Sequence, residues 1–546
     1  MRNRSGITLF AAGLLLLLAG AAGAQEPQQI RVDSTSRPVE ATGVDIQEGA
    51  VLLTLDEAVE IALRQNLGLS VQRFTRDRAR QLAARELGIY DLRLSSLLEA
   101  EDAETPAASQ LEGSQTNLQR FNAGFDQLFP TGGNLNLGWT NLRREDDNPF
   151  ATVNPSIRSG LTFAYNQPLL RGFGRLATER NLLVARNRSE ASREEFERLV
   201  VVSVQDVIDA YWNLVGARQQ LIVAQESMSL ARELHDRNRI QVEVGTMAPL
   251  ELVQSEAAIA EREEGIITAQ SSVGDAEDTL RRLLNLPEGE LWAAEIRPAT
   301  DPTIQHTPID VAAAIQIALA ERPEVRFQQL SIEQARIESE FARNQERPTL
   351  DLDVSYGFAG LGGDVFIEDP TTGEIRRFPG GFGDALSGVT GLDFPGWTAG
   401  LTFGFPLQNR SARAARAIAE IDLDRAETAL EDTRNGIITE VRGAARRVET
   451  AAKQIEAAKA SRVFQERNLE AERKRYENGM STSFQITQIQ EDLTEARSRE
   501  VNSVVNYRIA LAEYQRVIGR LLDEEGVAID DEELPVDRWQ FSLRGR

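Results

Sequence analysis

The chain of 546 residues contains an internal repeat, and this repeat constrains the fold more than any other feature of the sequence. A shift of 234 residues aligns two long stretches without a gap, so that Val207 falls on Val441 and Gly245 on Gly479. The earlier segments align at a shift of 256 residues, as in Ile61 with Ile317. The middle of the first repeat is therefore longer than that of the second. Each half is one structural unit that is built twice.

The repeats divide the chain into segments of different character. They span about residues 51–287 and 308–523, and a proline-bordered linker at 288–307 joins them. We expect residues 25–50 to form a disordered N-terminal arm, and residues 524–546 form an acidic C-terminal tail.

The first 24 residues have the features of an export signal. Arg2 and Arg4 precede an uncharged stretch, and Ala22-Gly23-Ala24 supplies the small residues that a signal peptidase needs. We predict a signal peptide over residues 1–24. A membrane anchor is the alternative, because the uncharged stretch is close to the lower limit of about 18 residues for a span. The chain has no cysteine, which excludes disulfides, cysteine-bound metals and a lipid-modified N-terminal cysteine.

The charge balance is acidic, with 60 Lys and Arg residues against 84 Asp and Glu residues and a formal net charge of −24. Such a surface repels phosphate backbones, so nucleic acid is excluded as a partner. After residue 24, charged residues interrupt every long apolar run. A membrane crossing would therefore have to be a closed β-barrel.

In the middle of each repeat the apolar residues alternate with period two, over about residues 91–167 and 349–405. One face is apolar and aromatic, and the other is small, polar or acidic, as in a barrel wall between lipid and water. The positions predicted to face lipid are Leu352, Val354, Tyr356, Trp397, Leu401 and Phe403. A soluble sandwich with one wet face is the alternative. The hairpin around Pro130 predicts four strands in the first repeat against two in the second.

After the strands the apolar period becomes helical. Heptad seams predict long helices at about 176–244 and 408–477, and the first would be about 100 Å long. Gly245 and Gly479 end them, since glycine favours the left-handed conformation that closes a helix. Shorter return helices are predicted at about 249–284 and 483–522.

This order of elements, found twice, resembles the outer-membrane efflux protein family, the TolC-like channels. The more specific marks are Gln167–Gly174 between strand and helix, Ala210–Leu214 on the first long helix and Arg475–Gly479 at the second tip. The resemblance implies an α+β fold in which three chains share one outer-membrane β-barrel that continues as a periplasmic α-helical barrel.

The resemblance also implies the function and the partners. Family members are passive channels of efflux or type I secretion systems, located in the outer membrane of diderm bacteria in contact with lipid. A periplasmic adaptor and an inner-membrane pump of the RND or ABC type hand over the substrate. The resemblance implies no enzymatic activity, cofactor or metal.

The site residues implied by the resemblance lie at the helical tips. The tip turns at Gly245 and Gly479, with Arg475, correspond to the adaptor-docking region. Tyr476 and Glu251 match a tyrosine and an acidic residue that bond in closed family members, whereas a supporting arginine is replaced by Ser481. The aspartates that often line the family's constriction are replaced by two neutral amides, Gln485 and Gln488.

Two rival interpretations have weaker support. Gly172–Ala177 fits a dinucleotide-binding G-x-G-x-x-A pattern, but the strand before it alternates and the helix after it is too long. His235 and His306 are the only histidines, and nothing in their spacing suggests a metal site or a catalytic triad. A soluble periplasmic coiled-coil adaptor or scaffold is the alternative from another class, and it would need no aromatic-faced strands.

Overall fold

The computed structural model describes residues 46–47, 50–106, 113–148, 150–286, 289–300, 308–368 and 373–527. The predicted signal peptide, most of the predicted arm, parts of the linker and nearly all of the acidic tail lie outside the described residues.

A small sheet joins the start of the first repeat to the linker. It contains β1 (Ile46–Gln47), β2 (Ala50–Leu53) and β7 (Glu295–Pro298), and β2 pairs with β7 in parallel. The prediction of a disordered arm is therefore wrong for its last residues, and the linker contributes a strand. The physical reason is that β1 pairs with β2, and β2 is held in place because Val51 and Leu53, together with Ile296 of β7, are buried in the largest apolar core.

Each repeat opens with a pair of helices. The first pair is α1 (Leu55–Gln65) and α2 (Leu67–Glu86), and the second is α6 (Val311–Glu321) and α7 (Pro323–Gln345). A short helix, α5 (Glu290–Ala293), precedes β7. Asn66 caps α2 by accepting a hydrogen bond from the Leu69 amide, and Pro323 occupies the first turn of α7. Both breaks therefore follow from local helix-start preferences.

The large sheet is antiparallel, and its main path contains six strands from both repeats. In spatial order they are β3 (Arg93–Glu104), β4 (Gln115–Leu128), β5 (Asn134–Asp146), β6 (Val153–Pro168), β8 (Thr349–Glu368) and β10 (Gly396–Gly404). The first repeat supplies four of these strands and the second supplies two, as predicted. A further short strand, β9 (Ile375–Phe378), pairs only with the far end of β8.

A helix precedes the last strand. α8 (Phe382–Thr390) lies between β9 and β10 in the chain and packs against β8 and β6. The strand periodicity gave no indication of this helix.

The long helices leave the sheet at one end. In the first repeat α3 (Arg175–Glu243) returns as α4 (Leu250–Leu284). In the second, α9 (Arg410–Glu477) returns as α10 (Ser483–Val517), followed by the short α11 (Leu521–Glu524). α3 pairs with α4, α9 pairs with α10, and α10 also packs against α3. The two repeats therefore share one helical layer.

The helix α3 contains the one stretch of the described residues that is long and apolar enough to cross a membrane as a helix. Within the chain, 56% of that stretch is buried. Val207, Tyr211 and Leu214 from this region belong to the largest core, together with Leu280 and Leu284 of the return helix. This burial accounts for its apolar composition.

Candidate functional site

The sheet has one continuous apolar face, defined here as the apolar face of the wall. The ladder places Trp397 beside Tyr356 and Leu401 beside Leu352 on neighbouring strands. All six positions predicted to face lipid lie on this face, and Trp397 and Leu401 are 75% and 66% exposed in the single chain. From the first repeat the register adds Leu94, Leu98, Phe121, Phe125, Leu137, Trp139, Leu161 and Phe163.

The opposite face is polar. Asn166 donates a hydrogen bond to Asp353 across two strands at 2.7 Å, and Asn136 donates to Asp126 at 2.8 Å. A concave depression on this face is lined by Asn134, Ser355 and Thr398, among others. A sheet with these two faces can separate lipid from water.

Within the part of the chain that the structure describes, neither edge strand of the wall has a neighbour on its outer side. β3 is exposed along nearly its whole length, and so is β10. Unpaired amide and carbonyl groups in a hydrocarbon layer each cost several kcal/mol by order of magnitude. The single chain is therefore an incomplete wall.

The two helical tips have the same backbone structure. At the first tip, Gly245 has a φ of 78°, and the Thr246 amide donates to the Gln241 carbonyl at 2.9 Å. At the second, Gly479 has a φ of 70°, and the Met480 amide donates to the Arg475 carbonyl at 2.9 Å. Both are Schellman turns, in which a left-handed residue lets the last helical carbonyls be satisfied.

Tyr476 bonds a different partner from the one expected. Its hydroxyl donates to Oδ1 of Asn238 at 2.6 Å and lies 3.4 Å from Oε1 of Gln241. Glu251 instead accepts a hydrogen bond from the Ser483 hydroxyl. The expected Tyr476–Glu251 bond is therefore absent from the described tip, because the Tyr476 hydroxyl donates its proton to the side chain of Asn238 on the first long helix.

The tyrosine sits in a small apolar cluster with Leu234, Leu469, Ile486 and Leu493. Burial, and secondarily the negative charge of Glu251, raise the pKa of the Tyr476 phenol, so it remains a hydrogen-bond donor at neutral pH. Asn238 is completely buried, and its Nδ2 has no hydrogen-bond partner among the described residues. Because a buried polar atom without a partner is costly, the Oδ1 bond to Tyr476 is the main polar compensation for Asn238.

Polar contacts between the two repeats continue along the helices away from the tip. Arg237 pairs with Glu477 at 3.1 Å, and Arg497 pairs with Glu226 at 2.6 Å. These groups are partly exposed, so each pair contributes little to stability. The buried Tyr476–Asn238 bond therefore matters more than its ion-paired neighbours.

The amides predicted at the constriction lie on the first turns of α10, and both are exposed in the single chain. The backbone amide of Gln485 donates to Oγ1 of Thr482, which caps the helix. Ser481, at the position of the missing arginine, donates its hydroxyl proton to the Glu472 carboxylate at 2.5 Å, and its oxygen lies 2.9 Å from Oε1 of Gln485. Arg475 pairs with Glu472 at 3.1 Å and is mostly exposed.

Sequence reasoning did not identify a set of exposed apolar side chains at both tips. Val244 and Leu250 are 68% and 64% exposed at the first tip, and Met480 and Phe484 are 62% and 65% exposed at the second. The sequence offered one indication of this set, because an apolar residue lies next to each tip glycine: Val244 before Gly245 and Met480 after Gly479. Clustered exposed apolar residues mark contact surfaces for other proteins.

The profile of the outer membrane efflux protein family matches residues 131–286 and 314–520, and the chain belongs to this family. The match covers most of both repeats and begins after β4. The family makes the protein an outer-membrane channel for efflux. A soluble scaffold is not favoured.

Solved structures share the fold. The outer-membrane channel OprN has a TM-score of 0.62 at 16% identity, over 85% of this chain and 89% of that one. The CmeC outer membrane channel of Campylobacter jejuni has a TM-score of 0.61 at 16% identity, over 86% and 89%. The open state of the Neisseria gonorrhoeae MtrE channel has a TM-score of 0.58 at 16% identity, over 86% and 89%. Comparison with curated proteins finds no match.

Proposed function

We propose that three copies of the chain form one efflux conduit, in which edge strand β3 of each copy pairs with edge strand β10 of the next. The observation that carries this proposal is the six-strand path with two exposed edges and opposite apolar and polar faces. Three copies of six strands would give a wall of eighteen. A barrel of about 16–18 strands encloses an aqueous channel.

The polar face of the wall then lines the water-filled lumen, and Leu352, Val354, Tyr356, Trp397, Leu401 and Phe403 face lipid. The conduit moves substrates without chemistry of its own. A periplasmic adaptor docks at the tips around Gly245, Gly479 and Arg475, where the exposed Val244 and Phe484 supply apolar contact area. An inner-membrane pump of the RND or ABC type delivers the substrate.

The tip is the candidate gate. Closure keeps Tyr476 bonded to Asn238 and Glu251 bonded to Ser483, which ties the first repeat to the second. Opening would separate these helices at the cost of two buried or half-buried hydrogen bonds. Gln485 and Gln488 line the narrowest ring of this tip, and as neutral amides they add no negative charge to it.

Cross-linking tests the eighteen-strand wall, since the chain has no native cysteine to interfere. Glu99→Cys on β3 is combined in turn with Thr398→Cys, Gly400→Cys and Thr402→Cys on β10, all on the polar face. We expect one combination to give covalent trimers on a denaturing gel.

The matched control places the first cysteine on β5 instead, at Thr140, with the same β10 partners. Trimers from β5 but not from β3 would show that β3 and β4 lie outside the wall and that each copy contributes four strands. Covalent dimers that never extend to trimers would contradict the proposed stoichiometry.

A further inference from the structure

The helix α8 lies directly on the apolar face of the wall. Gly360 and Gly362 of β8 face it, and a Cβ added at either position would collide with the backbone of α8. Gly388 of α8 makes the reciprocal close approach to Gly360. Ala385 and Val389 are buried in this contact. Glycines on both elements therefore allow the helix to lie against the strand.

The position of α8 along the strand corresponds to one rim of the membrane. Leu350, beside the long helices, and Gly360, under α8, are ten residues apart on one face of β8. Ten residues extend about 33 Å along a strand, which is about 25 Å of height at a strand tilt of about 40°. An outer-membrane barrel has an apolar band of about this height. The helix therefore lies at the rim farthest from the periplasm.

The chain leaves α8 in a conformation that its residues disfavour. The helix ends in a Schellman turn, with the Asp393 amide donating to the Gly388 carbonyl at 2.9 Å. The left-handed position of this turn is a leucine, Leu392, with a φ of 61°, and Phe394 follows with a φ of 46°. Glycine or asparagine is usual at such positions.

These two side chains are also exposed, Leu392 by 58% and Phe394 by 74%. Contacts within the chain cover less than half of either side chain, so they account poorly for bulky apolar residues in a strained backbone. Strain of this kind clusters at functional sites, which makes the segment a candidate for a function. Trp397, on the apolar face immediately after them, is 75% exposed.

We propose that residues 382–397, named here the rim segment, anchor the channel in the outer leaflet by inserting Leu392 and Phe394 into lipid. This inference rests on the proposed lipid-facing assignment of the apolar face. The rim segment continues that face, and its exposed polar residues Asp384, Ser387 and Thr390 give α8 a wet side. The apolar side of α8, with Ala385 and Val389, is packed against β8, so its polar side faces away from the wall at the level of the headgroups. The exposed Leu392 and Phe394 are the apolar groups that the rim segment offers to the acyl chains.

Single spin labels test the proposal in the intact trimer reconstituted into phospholipid vesicles. Labels are attached to Phe394→Cys and Leu392→Cys, with Leu401→Cys as the reference for the apolar face and Thr402→Cys as the reference for the polar face. Collision rates are measured with oxygen, which concentrates in lipid, and with a water-soluble nickel complex. We expect the oxygen-to-nickel ratio at Phe394 and Leu392 to match that at Leu401 and to exceed that at Thr402.

Three other outcomes would contradict either the membrane anchor or the lipid-facing assignment of the wall. A lipid-like ratio at Leu401 with a water-like ratio at Phe394 would overturn the anchor and leave the wall intact. Water-like ratios at both would overturn the lipid-facing wall itself. Low collision rates with both reagents at Phe394 would mean that a neighbouring copy covers the rim segment, which also overturns the anchor.

A second variant guards against disruption by the label. Leu392→Gly with Phe394→Gly removes the backbone strain, so a purely structural role predicts an equally or more heat-resistant trimer in both detergent and vesicles. The anchor predicts a heat resistance in detergent equal to or above that of the unmodified protein, together with a lower dissociation temperature in vesicles. Equal behaviour of the variant and the unmodified protein in vesicles would contradict it.

Discussion

The hydroxyl of Tyr476 in the second repeat donates a 2.6 Å hydrogen bond to Oδ1 of Asn238 in the first. Both residues are buried, and this bond crosses from the last turn of α9 to a position five residues before the end of α3. It makes the packing of one tip against the other depend on a single polar pair.

We expect Tyr476→Phe to loosen the tips. The substitution leaves Oδ1 of Asn238 buried without its donor, at a cost of about 1–3 kcal/mol, while the wall is unaffected. Hydrogen exchange measured by mass spectrometry should quicken in peptides covering residues 470–490. Single-channel recordings should show longer open times.

The same measurements distinguish the observed pair from a Tyr476–Glu251 latch. The effects of Tyr476→Phe and Asn238→Ala should be strongly non-additive, because both remove one bond. The effects of Tyr476→Phe and Glu251→Gln should be much closer to additive, because Glu251 bonds Ser483. Strong coupling in the second cycle and none in the first would restore the family latch.

Neighbouring substitutions on β10 test which face meets lipid. Leu401→Arg should destabilise the membrane-inserted protein by about 2–4 kcal/mol if it lies near the bilayer midplane, whereas Thr402→Arg should cost little. The measurement is the urea-unfolding midpoint in lipid vesicles, with Leu401→Ala as a control for lost packing. Equal tolerance of arginine at both positions would rule out the assigned faces.

The neutral amides predict a constriction that binds cations weakly. In the proposed trimer, three copies of Gln485 and Gln488 would present dipoles, whereas three pairs of carboxylates would concentrate negative potential in a narrow mouth. Gln485→Asp with Gln488→Asp should therefore strengthen block by multivalent cations in single-channel recordings. Glu256→Gln, at an exposed position on the first-repeat return helix, is the comparison. If only Glu256→Gln alters the block, the constriction lies among first-repeat residues instead.

The carboxyl of Asp209 on α3 predicts a pH dependence of stability. Burial raises its pKa from 3.8 to about 6, the Gln205 amide and Arg516 act in the opposite direction, and Asp206 and Glu513 raise it further. Between these pH values the folded protein binds the proton more tightly than the unfolded chain does. The contribution of Asp209 to the free energy of unfolding therefore falls as the pH rises from about 4 to about 6.

Asp209→Asn should remove that slope and raise the urea-unfolding midpoint at pH 7.5 more than at pH 4.5. Asp236→Asn, at an exposed position on the same helix, serves as the control and should leave the pH profile unchanged. An identical gain at both pH values would mean that Asp209 does not titrate in this range.

The sequence by itself determined the long helices, the six main strands and their order. Apolar periods of two and of three to four residues are local properties, so the strands around Leu401 and the helix through Val207 could be read without any tertiary contact. Gly245 and Gly479 marked the tips because a left-handed backbone position selects its residue locally. The change of shift between the repeats reflected additional chain in the first repeat, where the β4–β5 hairpin lies.

Only the tertiary structure decided which distant groups meet. Asn238 and Glu251 are both polar residues of the first tip, and their spacing from Gly245 does not reveal which one reaches the phenol of Tyr476. The docking of α8 on β8 likewise depends on Gly360 and Gly388. Their lack of side chains matters only because the fold brings the two backbones into contact at these positions. Hydrogen-bond choice and close packing depend on ångström-scale positions set by the whole fold, and a one-dimensional pattern does not encode those positions locally.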